Sequence, residues 1–282
     1  MTQMGVFPFG QPIATLRQSR RGRRRVFVLG VYASAIHARW IGSDGKTRIN
    51  ALAVASEPEI FWTGNGAPDI IRQIPIPAAA GHLVSASPAL NGPSGRALDK
   101  LYLKPLGITR RDAWLCDLVP HSCMNDGQAR AIDRAYLPLA RELGLPRVDW
   151  PRVPKSATDW QELVDRTRRD QIVSEVEEAS PEVLITLGDD PLRRFAQFHG
   201  TRSRLAAYGQ TGESYGRLHE ATIGRCRLHL LPLAHPRQAA SLGRSSPKWA
   251  TAHLGWVASR TSVVLGNTPQ TDTTQLVGAV EW

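Results

Sequence analysis

The chain has 282 residues, 42% of them hydrophobic, which is enough for one large α/β domain or two small ones with a sizeable core. No window nears the roughly 18 consecutive apolar residues of a membrane span, and the amino terminus lacks a secretory pattern, so a cytoplasmic protein is expected. A net charge of +10 implies long-range attraction to polyanions, while three cysteines at spacings that make no metal pattern imply packing thiols in a reducing compartment and no metal or cofactor.

In chain order, residues 1–25 read as a basic lead-in whose first sixteen positions form a loose arm. Arg17, Arg20, Arg21, Arg23, Arg24 and Arg25 crowd together before the first apolar run, a pattern suited to phosphate. Val26–Val31 (VFVLGV) reads as a fully buried parallel strand. Asn50–Ser56 reads as a further short strand. Residues 57–93, rich in proline and small residues, read as a long loop, and long loops in compact domains tend to carry function.

Gly95–Leu106 has helical spacing, and Ala113–Val119 (AWLCDLV) is the second buried strand. Gln128–Leu143 reads as a helix stopped by Gly144. Thr158 and Gln161 have the spacing of a capping box opening a helix that Pro181 ends. Glu182–Leu187 is the third strand and Asp189–Phe198 a short helix. In Leu228–Leu242 (LHLLPLAHPRQAASL), an apolar run delivers His235-Pro236 to the edge of a sheet. Ser246–Ser259 forms a final helix, and 261–282 a polar tail. Alternating strands and helices imply one α/β domain over 26–260, a three-layer sandwich around a central four-stranded parallel sheet.

Gly42–Thr47 (GSDGKT) ends like a phosphate-binding loop, but Trp40 stands where the leading glycine is required, which excludes a nucleotide triphosphatase. Four other blocks fall in register on the four strands. They are Gly30–Ser34 (GVYAS) after the first, Gly92-Pro93-Ser94-Gly95 with Leu98-Asp99 before the second, Val183–Gly188 as the third, and His235-Pro236 after the fourth. Together they resemble the uracil-DNA glycosylase superfamily over residues 26 to about 257. The resemblance implies a monomeric enzyme that extrudes a base from DNA and hydrolyses its glycosidic bond. A base must leave the stack to be reached, at a cost of a few kcal/mol.

By that resemblance, His235 is the donor to the departing base oxygen, and Gly92, Ser94, Arg96, Pro236, Arg237 and Gln238 contact DNA. The iron–sulfur cluster of some relatives is excluded, because three cysteines cannot supply four thiolates. Relatives read uracil with an asparagine in the second strand; here that position is Asp117. An ionised carboxylate only accepts hydrogen bonds, which suits the N4 amine of cytosine. Ser34 stands where strict uracil enzymes use tyrosine to exclude substituents on carbon 5. Leu90 replaces the stacking phenylalanine and, with Asn91, is expected to contact the base; Tyr32, Phe61 and Trp62 are alternatives for the stacking. Tyr32 also occupies the usual water-positioning place, for which Asp44 is the expected substitute, with Glu57 and Glu59 as alternatives. The expected substrate is a 5-substituted cytosine, such as the hydroxymethylated or glucosylated cytosines of phage DNA. A uracil glycosylase and a non-cleaving base sensor are the other readings.

Overall fold

In the computed structural model, which describes residues 5–211, 213–242 and 247–264, the chain is α/β with two sheets. β1 (Val26–Ala33) runs almost directly into β2 (Ala35–Ile41), followed by β3 (Thr47–Ser56), α1 (Ala67–Arg72), β4 (His82–Ser85) and α2 (Pro93–Leu98). Then come β5 (Ala113–Ser122), α3 (Asp126–Ala131), α4 (Leu137–Leu143), α5 (Ala157–Leu163) and α6 (Arg166–Ala179). The rest comprises β6 (Val183–Leu187), α7 (Asp189–Arg194), β7 (His219–Ile223), β8 (Cys226–Leu233), α8 (Pro236–Ala239) and α9 (Pro247–Val264).

The main sheet has the order β5-β1-β6-β8-β7. Its first four members are the four expected strands, mutually parallel, but the sheet has five strands, because β7 pairs antiparallel with β8 in a hairpin. The apolar pattern could not show this fifth strand: HEATI alternates partly exposed and exposed positions and buries only Ile223. The second sheet, ordered β3-β2-β4 and antiparallel, was expected only as the short run 50–56. It has its own core, in which Phe7, Trp40, Leu52, Ile71 and Tyr136 are buried.

The expected loose arm is packed, since Phe7 and Phe9 are 0% and 6% exposed. Beyond them the chain runs along the outer edge of β5, where the Leu16 N–H donates to Pro120 O at 2.6 Å and the Leu115 N–H to Gln18 Oε1 at 3.3 Å. That covers an edge which would otherwise offer unpaired backbone. The arginine cluster lies at the amino end of β1, the opposite edge of the sheet from Gly30–Ser34. Arg21 pairs there with Glu178 and lies over the Trp114 ring.

Between Trp160 and the 170s the expected single helix is two. Its capping box is Ser156 with Asp159, two residues earlier than the sequence spacing suggested, and Asp165 caps α6 afresh. The tail from residue 265 and residues 1–4 lie outside the described residues. Among the described residues no helix is long and apolar enough to cross a membrane.

Arg168 of α6 reaches under the end of β5. Its Nε donates to Leu118 O at 3.0 Å and its Nη2 to Asp117 O at 2.7 Å, while Nη1 meets Glu175, which also accepts from Trp114 Nε1 at 3.0 Å. Removing one partner of such a buried pair leaves the other charge uncompensated, at about 3–5 kcal/mol. Arg168→Met should lower urea stability by that amount, and Arg168→Met/Glu175→Leu by less; equal losses would mean that the pair itself contributes nothing.

Candidate functional site

The carboxyl ends of β1, β5, β6 and β8 open into a cavity of about 670 Å³, with the end of β2 and the chain after β3 as a further wall. This is where an open α/β sheet offers a crevice. Of the expected residues, Tyr32, Ser34, Leu90, Ser94, Asp117, His235, Arg237 and Gln238 line it.

Five expected residues do other work. Asp44 sits in the β2–β3 turn, where it accepts from the Lys46 N–H and pairs with Arg48 at 3.1 Å, so it does not position water in this cavity. Asn91 clamps the backbone of His37, its Oδ1 accepting from the N–H at 2.7 Å and its Nδ2 donating to the carbonyl at 3.0 Å. Arg96 is exposed and donates to three carbonyls, those of Thr63, Asn91 and Pro88, which ties the loop to α2. Gly92 takes φ 68°, and a side chain there would collide with the Thr63–Gly64 backbone. Pro236 is buried at the start of α8.

His235 caps α8, its Nδ1 accepting from the Arg237 N–H at 3.2 Å. Burial, helped by Arg237, pushes the ring down to about 4. The imidazole is therefore neutral near pH 7, and because Nδ1 accepts, its proton sits on Nε2. A neutral donor faces the cavity.

Asp117 is 3% exposed, and Gly30, its partner in the β1–β5 register, makes room for it. An added Cβ at Gly30 would collide with Asp117 Oδ1 and come within 2.6 Å of Phe61 Cζ. The Phe61 ring is thus beside the Asp117 carboxyl, and Phe61 has φ 52°, a strained backbone of about 1–2 kcal/mol for a bulky residue. It is the aromatic that borders this carboxyl, whereas Trp62 belongs to the second core. Burial pushes Asp117 up to about 7, with Arg168 pulling the other way.

Two further carboxyls line the cavity. Glu57 is 4% exposed, and burial followed by the charge of Asp117 pushes it up to about 9. Asp190, after β6, lies between the ends of β1 and β8 and is raised chiefly by burial. Its neighbour Asp189 accepts from the Leu205 N–H at 2.7 Å, while Asp190 makes no hydrogen bond among the described residues. Sequence reasoning missed Asp190 because Asp189-Asp190 reads as the acidic first turn of a helix.

With Asp117, Glu57, Asp189 and Asp190 on its walls, the cavity is acidic inside a chain of net charge +10. A scan of protein-family models finds no match for this chain, and a search among curated proteins finds none either.

The raised carboxyls hold protons to higher pH when folded than when unfolded, so their contribution to stability falls as pH rises through the folded values. The buried histidines His37, His235 and His253, lowered by burial, act in the opposite sense but only below their usual value near 6.5. Between pH 7 and 9 the histidines no longer contribute, and the buried thiols of Cys116 and Cys123, raised by burial, add to the carboxyl effect only toward pH 9. The thermal midpoint of Glu57→Gln should gain on the parent steadily across that window; a constant difference would refute a neutral Glu57.

Proposed function

We propose that this protein is a monofunctional DNA glycosylase of the uracil-DNA glycosylase type, active as a monomer, which flips a 5-substituted cytosine out of DNA and leaves an abasic site. The observation that carries the reading is the meeting of a neutral histidine donor, a buried carboxyl and an aromatic ring at the ends of parallel strands, in one cavity much larger than a pyrimidine. The proposed frame is the parallel quartet β5-β1-β6-β8 with its helices in three layers.

In this mechanism the flipped base lies against Phe61, with Asp117 on its Watson–Crick edge. As the C1′–N1 bond breaks, its electron pair passes into the base, and the Nε2–H of His235 donates to the charge that develops on O2. One such donor contributes on the order of 10²–10³ in rate. Asp190, not Asp44, holds the water: the water oxygen bonds to C1′ and its proton passes to the carboxylate. Ser34 leaves carbon 5 open, and Arg237, Gln238 and Ser94 meet the strand at the rim. Hydroxymethylated and glucosylated cytosines of phage DNA fit this description, with defence as the role.

Tyr32 in the usual water-positioning place favours a second reading, a sensor that binds the flipped base without cutting. Mass spectrometry of bases released from DNAs containing uracil, cytosine, hydroxymethylcytosine or its glucoside separates the two. Release of a substituted cytosine, reduced at least about 100-fold in His235→Ala and in Asp190→Asn with DNA binding kept, supports the enzyme. Binding with no release from any DNA supports the sensor.

Asp117 adds a pH signature. When protonated it donates and accepts, as an amide does, and fits uracil (O4 and N3–H) or cytosine (N3 and N4–H); when ionised it only accepts and repels uracil O4 or cytosine N3. Release of the base should therefore fall as pH rises through about 7. Asp117→Asn should remove that fall, and pH-independent release in the parent would contradict the assignment.

A further inference from the structure

The antiparallel register pairs Ala35 with Ser56. One step outward, Ser34 and Glu57 stand opposite each other, and both line the cavity. Glu57 makes no hydrogen bond among the described residues. The cation nearest its charge, Arg110, already pairs with Asp99 at 2.7 Å and donates to Phe61 O at 2.5 Å.

Two more polar atoms on this side lack partners. Ser122, paired with Ala33 at the end of β5, is 2% exposed, and its buried Oγ has no hydrogen bond. His37 of β2 has a buried Nδ1 with none either, since Asn91 satisfies only its backbone. A buried polar group left unpaired costs on the order of 1–3 kcal/mol. Ser122 Oγ and His37 Nδ1 lie just behind the cavity surface, whereas Glu57 and Ser34 line it with no hydrogen bond to the Glu57 carboxyl among the described residues, which marks this end as a place where a ligand supplies the missing bonds.

The groups bearing on the charge of Glu57 are Asp117 and Glu59, which oppose it, and Arg110, which favours it; burial outweighs all three and keeps the carboxyl protonated near pH 7. His37 is likewise held neutral by burial. A neutral acid, a hydroxyl and a neutral imidazole all both donate and accept, and a hydroxyl group of a ligand does the same. A fixed cation would instead favour an ionised carboxylate.

We propose that Ser34, Glu57, Ser122 and His37 form a subsite for a neutral, hydroxyl-bearing substituent on carbon 5 of the flipped cytosine, with Glu57 the residue that selects it. The inference rests on the base-flipping reading above, with Asp117 on the Watson–Crick edge and Ser34 at carbon 5. It does not require that the bond be cut.

The test is fluorescence anisotropy of duplexes carrying one cytosine, 5-methylcytosine, 5-hydroxymethylcytosine or 5-aminomethylcytosine. His235→Ala is the common background, so that no substrate is consumed. In that background the hydroxymethyl duplex should bind about tenfold tighter than the methyl one. Adding Glu57→Leu should erase the difference while leaving affinity for the methyl duplex within about twofold, and Glu57→Gln should keep most of the preference. Thermal melts establish that each variant is folded. The inference is overturned if no hydroxymethyl preference exists, if it survives Glu57→Leu, or if the aminomethyl duplex binds tightest. Failure of the glycosylase reading is a separate result: the unaltered protein releases no base while the binding preference remains.

Discussion

Arg168 joins α6 to the end of β5 through two backbone carbonyls, one of which belongs to Asp117 itself. β5 is the outermost strand on its side of the main sheet, so beyond β1 it has no further strand to hold its carboxyl end in place. The guanidinium does this from below, and Glu175 balances its charge while accepting from Trp114 on the same strand. The carboxyl of Asp117 can therefore sit nearly inaccessible to water at a fixed height, close enough to a cation to temper the effect of burial but without a direct ion pair. Burial is the larger influence on its ionisation and Arg168 the smaller, opposing one; its position depends on the same guanidinium through the Asp117 carbonyl.

The chain combines two electrostatic scales. Far from the surface, a net charge of +10 dominates and draws in a polyanion. Within the cavity, burial raises Asp117, Glu57 and Asp190, so that its carboxyls are in large part neutral hydrogen-bonding groups near pH 7 rather than a block of negative charge. Long-range charge and short-range hydrogen bonding therefore reside in different parts of the molecule, and the two can be altered independently.

Much of the frame was legible because β1, β5 and β6, and β8 from Leu230 onward, are buried on both faces and so appear as apolar runs. Strands with an exposed face were not legible: β7 alternates, and β2 carries His37 and Arg39 amid its apolar residues. At the site, the residues tied to strand ends came out where expected, namely Tyr32, Ser34, Asp117 and His235. The residues placed elsewhere than the cavity lie in loops and at the starts of short helices. Asp44 is nearer Tyr32 in sequence than Glu57, yet the β2–β3 hairpin carries Asp44 away and returns Glu57 to face Ser34. Asn91 has the chemistry of a ligand contact, and only the fold reveals that its polar atoms are engaged with the His37 backbone. Sequence distance measures chain length, and a hairpin reverses direction within a few residues.

The second sheet enters the chain between Ser34 and α2 and keeps a separate core around Trp40, Leu52 and Tyr136. It supplies one wall of the cavity, while the floor, with Asp117 and His235, belongs to the parallel sheet. Wall and floor thus draw on different cores, the second of which also takes Phe7, Met124, Ile132, Tyr136 and Trp150 from either end of the chain around the sheet. Side chains that face the cavity from the wall can therefore be exchanged with less effect on the packing behind Asp117 and His235 than changes within the parallel sheet itself.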